Sequence, residues 1–240
     1  MTNTLATAKY EAEVRSRFDQ SHSRFKTEVT RDDVRLDALR RAFGPVQSGK
    51  ILDLGCGKGR FATRLIEGGA SVVGLDLSAA MLAEAKGLNR VKASALRLPF
   101  RDAAFDGVAA VEVFEHLPSV MGALAEIRRV LKPDGVVAIV DKNAWSLNAR
   151  RPWLPNLAIK WIDTYRGRWM YPVGGPVRER WFRPGAFAKG LTSAGFEDVG
   201  VTYLLGPEES HSPLFRRLPF ARLMTLWSAR TPCLVGGNRP

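Results

Sequence analysis

Short apolar runs alternate with stretches of helical periodicity between residues 51 and 141 of this 240-residue chain. The apolar runs predict five β-strands, at 51–54, 71–75, 91–95, 105–113 and 136–141. The segments between them predict helices, at 61–67, 79–86 and 118–131. Strands that alternate with helices at this spacing indicate βαβ units, so we expect a parallel sheet.

The flanking segments predict further helices and one more strand. Residues 8–43 are expected to be helical, with Asp32 or Asp33 as the cap of a helix that ends at Gly44. Toward the C-terminus the pattern predicts a helix and a sixth strand, at 184–194 and 197–205. The whole pattern is typical of a single α/β domain.

The periodic pattern breaks between residues 142 and 183, and the charge changes there. This segment holds nine Lys and Arg against two Asp and Glu, whereas residues 51–141 hold eleven of each. It also contains five of the six tryptophans. A short helix is expected after Pro155, with one face formed by Leu157, Trp161 and Tyr165. Such an aromatic and basic insertion indicates a partner with an apolar body and an anionic end, or a face that packs on the core.

The cysteines and the hydropathy of the chain indicate the cellular compartment in which the protein is expected. Cys56 and Cys233 lie far apart, which suits a reducing cytoplasm and not a disulfide framework. The first residues lack the apolar region of a signal peptide, and no apolar run reaches the roughly 18 residues needed to cross a bilayer. Metal-ligand spacing is absent from the sequence, so no metal is expected. We therefore expect a cytoplasmic protein.

The strongest chemical signal is a glycine-rich turn, DLGCGKG at 53–59, between the first strand and the next helix. Glycines let the backbone turn sharply and approach a ligand closely. The dinucleotide pattern G-x-G-x-x-G is not met, because the third glycine comes one position early. Asp53 is near enough to influence a ligand ammonium group, and Asp76 at the end of the second strand can accept both ribose hydroxyls. S-adenosylmethionine fits these features; a tight turn beside a helix-capping Asp is the structural alternative.

Residues 51–141 resemble the class I S-adenosylmethionine-dependent methyltransferases of the ubiquinone/menaquinone-biosynthesis-like (type 11) group. The matching stretches are ILDLGCGKGRFATRL, VVGLDLSAAMLAEA, LRLPFRDAAFDGVAAVEVFEHL and EIRRVLKPDGVVAI, and WFRPGAFAKGLTSAGFEDVGV resembles the sixth-strand unit of that group. The resemblance implies a Rossmann-like α/β fold with a seven-stranded, mostly parallel sheet and helices on both faces. It implies S-adenosylmethionine as methyl donor, without a metal.

The resemblance also implies which residues contact the cofactor. From the methionine end to the adenine edge and the sulfonium side they are Asp53, Gly55, Cys56, Gly57, Gly59, Asp76, Leu77, Met81, Ser94, Ala95, Leu96, Val111 and Glu112. Ser94 departs from the group, which often has Asp there to accept from the adenine amino group; serine or the backbone of Ala95 is expected to do so instead. Arg35 resembles an arginine that some quinone O-methyltransferases place near the cofactor carboxylate; an exposed helix arginine is the alternative.

His116 is the candidate catalytic residue, directly after the fourth predicted strand. Alignment supplies most of the catalysis of an in-line methyl transfer, and a base is needed only when the acceptor must lose a proton. Histidine suits that role near neutral pH. Since Glu-His-Leu is widespread in this group across different acceptors, the alternative is that His116 orders the loop and the following helix.

Three hypotheses describe the function. The first is methylation of a small-molecule or lipid-linked acceptor, with 214–227 (LFRRLPFARLMTLW) as an interfacial helix at the inner membrane surface or as a core segment. The second is a tRNA methyltransferase, since basic and aromatic residues bind RNA; the neutral core and the lack of a visible RNA-binding module make nucleic acid less expected. The third is a non-catalytic cofactor-binding interaction protein.

The domain is expected to begin with a helical cap (1–50) and a cofactor-binding core (51–141). An acceptor insertion (142–183) and a C-terminal segment that completes the sheet (184–240) follow. This fold normally closes with a seventh strand, antiparallel between the fifth and sixth. We predict that residues 231–238 pair there as a short, imperfect strand, despite Pro232 and two glycines. Residues 206–230 would then form a surface excursion.

Overall fold

The computed structural model describes residues 2–147, 154–167, 171, 175, 177–206, 217 and 222–233. Within these residues one sheet contains β1 (Lys50–Leu54), β2 (Ser71–Asp76), β3 (Asn89–Lys92), β4 (Phe105–Val111), β5 (Leu131–Lys142), β6 (Glu197–Leu204) and β7 (Met224–Arg230). The strand order is β3-β2-β1-β4-β5-β7-β6. Strands β1 to β5 pair in parallel, and β7 is antiparallel to both β5 and β6. The predicted Rossmann-like, mostly parallel sheet is confirmed.

Helices cover both faces of this sheet, which forms two apolar cores. The described helices are α1 (Thr2–Ser21), α2 (Val34–Phe43), α3 (Arg60–Glu67), α4 (Ala79–Glu84), α5 (Val120–Val130), α6 (Asn156–Tyr165) and α7 (Pro184–Ser193). One core joins the sheet to α2 and α3 through residues such as Leu39 and Phe61. The other joins it to α5 and α7 through residues such as Leu124 and Phe187. Because both faces are covered, the central strands are apolar along their length.

Local chemistry explains several element boundaries. Asp33 caps α2, since its side chain accepts from Arg35 N, and the helix ends at Gly44, whose φ is +46°. Strand β4 ends at Val111, two residues earlier than predicted, because the next residue, Glu112, has φ +57° and leaves the extended conformation. Strand β3 lies two to three residues earlier than predicted.

The seventh strand occupies the predicted slot, but the predicted segment is wrong. Residues 224–230 form β7, whereas 231–233 follow it and 234–238 lie outside the described residues. The reason is burial: Trp227 is fully buried, and its indole N–H donates to Pro184 O at 2.9 Å. Pro232 and the glycines offer no comparable side chain to the core. The prediction that residues 206–230 form a surface excursion is therefore wrong for residues 224–230.

The interfacial-helix interpretation of 214–227 is also corrected in part. Its last residues, 224–227, belong to β7 and pack in the core; 214–216 and 218–221 lie outside the described residues. No helix in the described part of the chain is long and apolar enough to cross a membrane.

The order of the strands determines where a ligand can bind. The chain leaves β1 toward β2 on one side and returns to β4 on the other, so the connections diverge at the carboxyl end of β1. Open α/β sheets bind ligands in the crevice at such a switch point. The glycine-rich turn lies there, directly after β1.

Candidate active site

A cavity of about 680 Å³ lies at this switch point, between the carboxyl ends of the strands and helix α1. Most of the residues predicted to contact a cofactor or substrate line it, namely Asp53, Gly55, Cys56, Gly57, Asp76, Leu77, Met81, Ala95, Val111, Glu112 and His116. Three others, Gly59, Ser94 and Leu96, are not part of the lining. Gly59 instead precedes α3, with φ +81°. The structure thus brings most of the predicted residues to one cavity.

Two glycines give the turn its shape. Gly55 and Gly57 have φ of +69° and +54°, a region that glycine adopts without strain. A Cβ on Gly55 would lie 2.4 Å from Val113 Cγ2, whereas a Cβ on Gly57 would meet nothing within 4 Å. Gly55 therefore permits close packing of the turn against the residues after β4, and Gly57 borders open space in the cavity.

Asp53 is a buried carboxylate with unused hydrogen-bonding capacity. It is 2% exposed, and its Oδ2 has no hydrogen-bond partner among the described residues. Burial, together with the charge of Asp76, raises the pKa of Asp53 to about 7. A buried polar atom without a partner is costly, so this oxygen is prepared to accept from a cationic or hydrogen-donating ligand group.

Asp76 links the glycine turn to the loop after β2. Its Oδ2 accepts from Gly57 N and its Oδ1 from Ser78 N, both at 2.8 Å. Burial raises the pKa of Asp76 despite these hydrogen bonds. The two carboxylate oxygens have about four lone-pair sites, so Asp76 keeps acceptor capacity toward the cavity.

Beside the turn, a charged cluster surrounds Glu112. Arg35 is 6% exposed, so the exposed alternative for this residue is wrong. It forms a two-point contact with Asp33, at 3.0 and 2.7 Å, and donates to Glu112 Oε2 at 2.8 Å. Arg60 Nη2 donates to the same Glu112 oxygen at 3.2 Å. Burial opposes ionisation of Glu112, but the charges of Lys142, Arg35 and Arg60 outweigh it and lower the pKa of Glu112.

His116 is held at both ring nitrogens. Nε2 lies 3.3 Å from Glu115 Oε1, and Nδ1 lies 3.0 Å from the Tyr171 hydroxyl. The ring also packs edge-on against Phe18, with centroids 5.1 Å apart. Arg180 N donates to Glu115 O and so ties the same loop to the insertion. These contacts are those expected of a residue that orders the loop, and base catalysis would require the Tyr171 hydroxyl to release Nδ1.

A lysine behind this loop was missed by the sequence reasoning. Lys142, at the carboxyl end of β5, lies 2.6 Å from Glu115 Oε1 and 3.3 Å from Glu179 Oε1. Burial favours the neutral form of Glu115. The interactions with Lys142 and His116 outweigh this effect of burial and lower the pKa of Glu115 to about 2. A lysine directly after a buried strand was a usable signal, because that edge of the sheet forms the site.

Helix α1 closes the cavity, and sequence reasoning did not identify which of its residues face the site. Glu11, Val14 and Phe18 line the cavity. Asp19 Oδ1 accepts from the Ser78 hydroxyl at 2.5 Å and from Ala80 N at 3.2 Å. Because α1 is largely polar, its sequence carries no apolar stripe to indicate the buried face.

The insertion forms helix α6 at the predicted place, with its aromatic face in solvent. Leu157, Trp161 and Tyr165 are 40%, 71% and 75% exposed, so the core-packing alternative is wrong for this face. The rings of Trp161 and Tyr165 stack with centroids 6.2 Å apart. Elsewhere in the insertion Tyr171 is buried.

The remaining predictions concern metals and cysteine. No group of three or more potential ligands that could hold a metal is present in the described ranges. Cys56 is buried, and burial raises the pKa of its thiol, which leaves it unsuited to nucleophilic chemistry.

The fold and this cavity define a Rossmann-like domain with a ligand site at the β1 switch point. A methyltransferase domain family matches residues 52–139. Over these 88 of the 240 residues, the chain is similar to the class I S-adenosylmethionine-dependent methyltransferases of the type 11 group.

Individual relatives agree with this family. The chain is 34% identical to 2-phytyl-1,4-naphtoquinone methyltransferase of Synechocystis sp. over 134 residues, or 49% of this chain and 56% of that protein. It is 39% identical to a sterol 24-C-methyltransferase of Gibberella zeae over 103 residues, or 38% of this chain and 27% of that protein. The chain thus spans about half or less of the length of these two relatives.

A solved structure extends the similarity of the fold beyond the matched core. An S-adenosylmethionine-dependent methyltransferase of Thermotoga maritima superposes with a TM-score of 0.64 at 19% identity. The match covers 92% of this chain and 96% of that one. At this identity the similarity concerns the fold.

Proposed function

We propose that this protein transfers a methyl group from S-adenosylmethionine to a small lipophilic acceptor. The observation that carries the proposal is the buried, unpartnered Asp53 Oδ2 in a cavity bordered by the glycine turn. S-adenosylmethionine has an α-ammonium group that would satisfy this oxygen, and nicotinamide dinucleotides have none. When bound, the cofactor supplies a sulfonium-activated methyl group.

The lining residues fit the rest of such a cofactor. Asp53 would hold the ammonium group, and Gly57 leaves room for the chain to pass. Asp76 would accept the ribose hydroxyls with its remaining lone pairs. Leu77 and Met81 would flank the adenine. Two carboxylates of the lining are thus available for the two polar parts of the cofactor.

At the acceptor end, the protein's contribution is mainly positional. His116 lines the cavity, and Glu115 and Tyr171 fix its ring. We propose that this loop orients the acceptor for in-line attack on the methyl group. If the acceptor must lose a proton, His116 is the candidate base, and Nδ1 becomes available only when Tyr171 releases it.

Two observations support a lipophilic acceptor with a polar or anionic end. The relatives named above are a quinone and a sterol methyltransferase, and quinones with a phytyl chain and sterols are largely apolar molecules. Phe18, Phe25 and Leu223 line the cavity, and Arg24 and Lys26 lie in the same lining. Apolar walls with a few convergent charged groups suit such a molecule.

The exposed face of α6 supports contact with a membrane that stores the acceptor. Trp161 and Tyr165 are amphipathic and mostly exposed, and the surrounding segment 142–183 is strongly basic. Aromatic and basic residues together favour the interface of an anionic bilayer. Co-sedimentation with anionic vesicles should fall when both aromatics become alanine, and vesicles of neutral lipid should bind less of either protein.

The proposed function is tested in two steps. Calorimetry should show binding of S-adenosylhomocysteine and no tight binding of NAD. Cell extract is then incubated with the protein and methyl-labelled S-adenosylmethionine, and we expect label in the lipid fraction. Tight NAD binding would refute the cofactor assignment, label in tRNA would establish the RNA hypothesis, and cofactor binding without any labelled product would favour a non-catalytic protein.

A further inference from the structure

Helix α1 brings a carboxylate to the loop that follows β3. Ser94 lies in this loop, two residues after the strand ends. Its hydroxyl donates to Glu11 Oε1, and its Oγ accepts from Leu96 N at 3.0 Å. Glu11 lines the cavity, whereas Ser94 does not.

These contacts decide which group can accept a hydrogen bond from a ligand. A serine hydroxyl has one proton and two lone pairs, and here the proton and one lone pair are used within the protein. The Glu11 carboxylate has about four acceptor positions, of which Ser94 uses one. Glu11 is therefore the stronger acceptor at this place, and it comes from a helix outside the sheet.

The position of Glu11 depends on how α1 is attached to the rest of the domain. Eight residues further along the same helix, Asp19 accepts from the Ser78 hydroxyl and from Ala80 N, at the start of α4. The two acidic residues therefore attach α1 to both loops that border this end of the cavity, the one after β2 and the one after β3.

We propose that Glu11 accepts a hydrogen bond from the exocyclic amino group of the cofactor's adenine, so that recognition of the base and closure of α1 are a single event. This rests on the proposed function, which places the adenine between Leu77 and Met81, beside Ala95. Helix α1 thus supplies a carboxylate at a place where the loop after β3 offers only the hydroxyl of Ser94. An adenine bound there helps to hold α1 in place.

Closure of α1 also shapes the other end of the cavity. Phe18 packs against His116, and Val14 forms a small core with Tyr171 and Val177. The same helix therefore contacts the adenine site through Glu11 and the acceptor loop through Phe18. Cofactor binding is expected to complete the acceptor pocket, so the cofactor should bind first.

The test compares two ligands that differ at one edge of the base. Calorimetry measures Kd for S-adenosylhomocysteine and for its analogue with hypoxanthine, in which a carbonyl oxygen replaces the amino group and the neighbouring N1 carries a hydrogen. The wild-type protein should prefer adenine by about 10-fold or more, because a carboxylate accepts from the amino group and repels the oxygen. Glu11→Gln should abolish or reverse this preference, since an amide also donates.

Glu13→Gln is the matched control. Glu13 lies on the same helix, pairs with Arg17 at 2.8 Å and does not line the cavity, so its variant should keep the wild-type preference. Amide hydrogen exchange gives the second readout: S-adenosylhomocysteine should slow exchange in α1 more than the hypoxanthine analogue does. An unchanged preference in Glu11→Gln, or equal protection by both ligands, would overturn the proposal. Failure of the wild-type protein to bind S-adenosylhomocysteine would refute the proposed function itself.

Discussion

Replacement of Asp53 by asparagine should stabilise the ligand-free protein in a pH-dependent way. Asp53 is buried, and burial with the charge of Asp76 raises its pKa from an ordinary 3.8 to about 7. A raised carboxyl pKa means that the folded state binds a proton which the unfolded state has lost. Stability therefore falls as the pH rises above about 3.8, and this loss is complete above pH 7.

The magnitude follows from the size of the shift. Each pKa unit corresponds to about 1.4 kcal/mol, so the raised pKa of Asp53 costs the folded state about 4 kcal/mol at pH 8, where its carboxyl is ionised, and about 2 kcal/mol at pH 5, where it must take up a proton. Asparagine cannot ionise and escapes this cost. The difference in free energy of unfolding between Asp53→Asn and wild type should grow by about 2–3 kcal/mol between these pH values.

Urea unfolding of the ligand-free proteins at pH 5, 6, 7 and 8 measures this difference. Asp102→Asn is the control, because its side chain is 78% exposed and paired with Arg129 at the surface. We also expect binding of S-adenosylhomocysteine to release a proton from the wild-type protein at pH 6, and none from Asp53→Asn. A stability difference that is the same at every pH would refute the account of Asp53.

Three further variants test other parts of the structure. Asp76→Ala should weaken S-adenosylhomocysteine binding by about 1.5–3 kcal/mol in calorimetry; unchanged affinity would mean that the ribose is held elsewhere. His116→Ala should lower thermal stability while turnover per folded molecule stays within about tenfold; a loss of about 10²–10⁴-fold with intact cofactor binding would establish base catalysis instead. Trp227→Ala should cost about 3–5 kcal/mol in urea unfolding, since the side chain is fully buried. A cost below about 1 kcal/mol would contradict the buried position of β7 between β5 and β6.

The sequence predicted those features that depend on neighbouring residues. The glycine turn, the Asp33 cap and the first two strands each rest on residues a few positions apart, and the structure has them within a residue or so of the predicted places. Most of the predicted cofactor residues also line one cavity, because the carboxyl ends of parallel strands meet at one edge of the sheet.

Features that depend on distant partners were missed or misplaced. Strand β7 pairs with residues about 90 positions earlier, and its sequence, MTLWSAR, includes polar residues that gave no strand signal. Thr225 is fully buried there. The contacts of Glu11 with Ser94 and of Lys142 with Glu179 likewise join elements that no local pattern connects. Tertiary pairing decided these positions, so local propensity did not reveal them.

The position of β7 has a consequence for how the chain reaches this structure. Strand β6 pairs with β7 and lies at the edge of the sheet, so it has no place in the sheet until residues 224–230 are available. During synthesis, the five parallel strands can assemble while β5 still exposes an unpaired edge. Pairing of β6 must then await β7, and during this interval the unpaired edge of β5 is open to pairing with other chains.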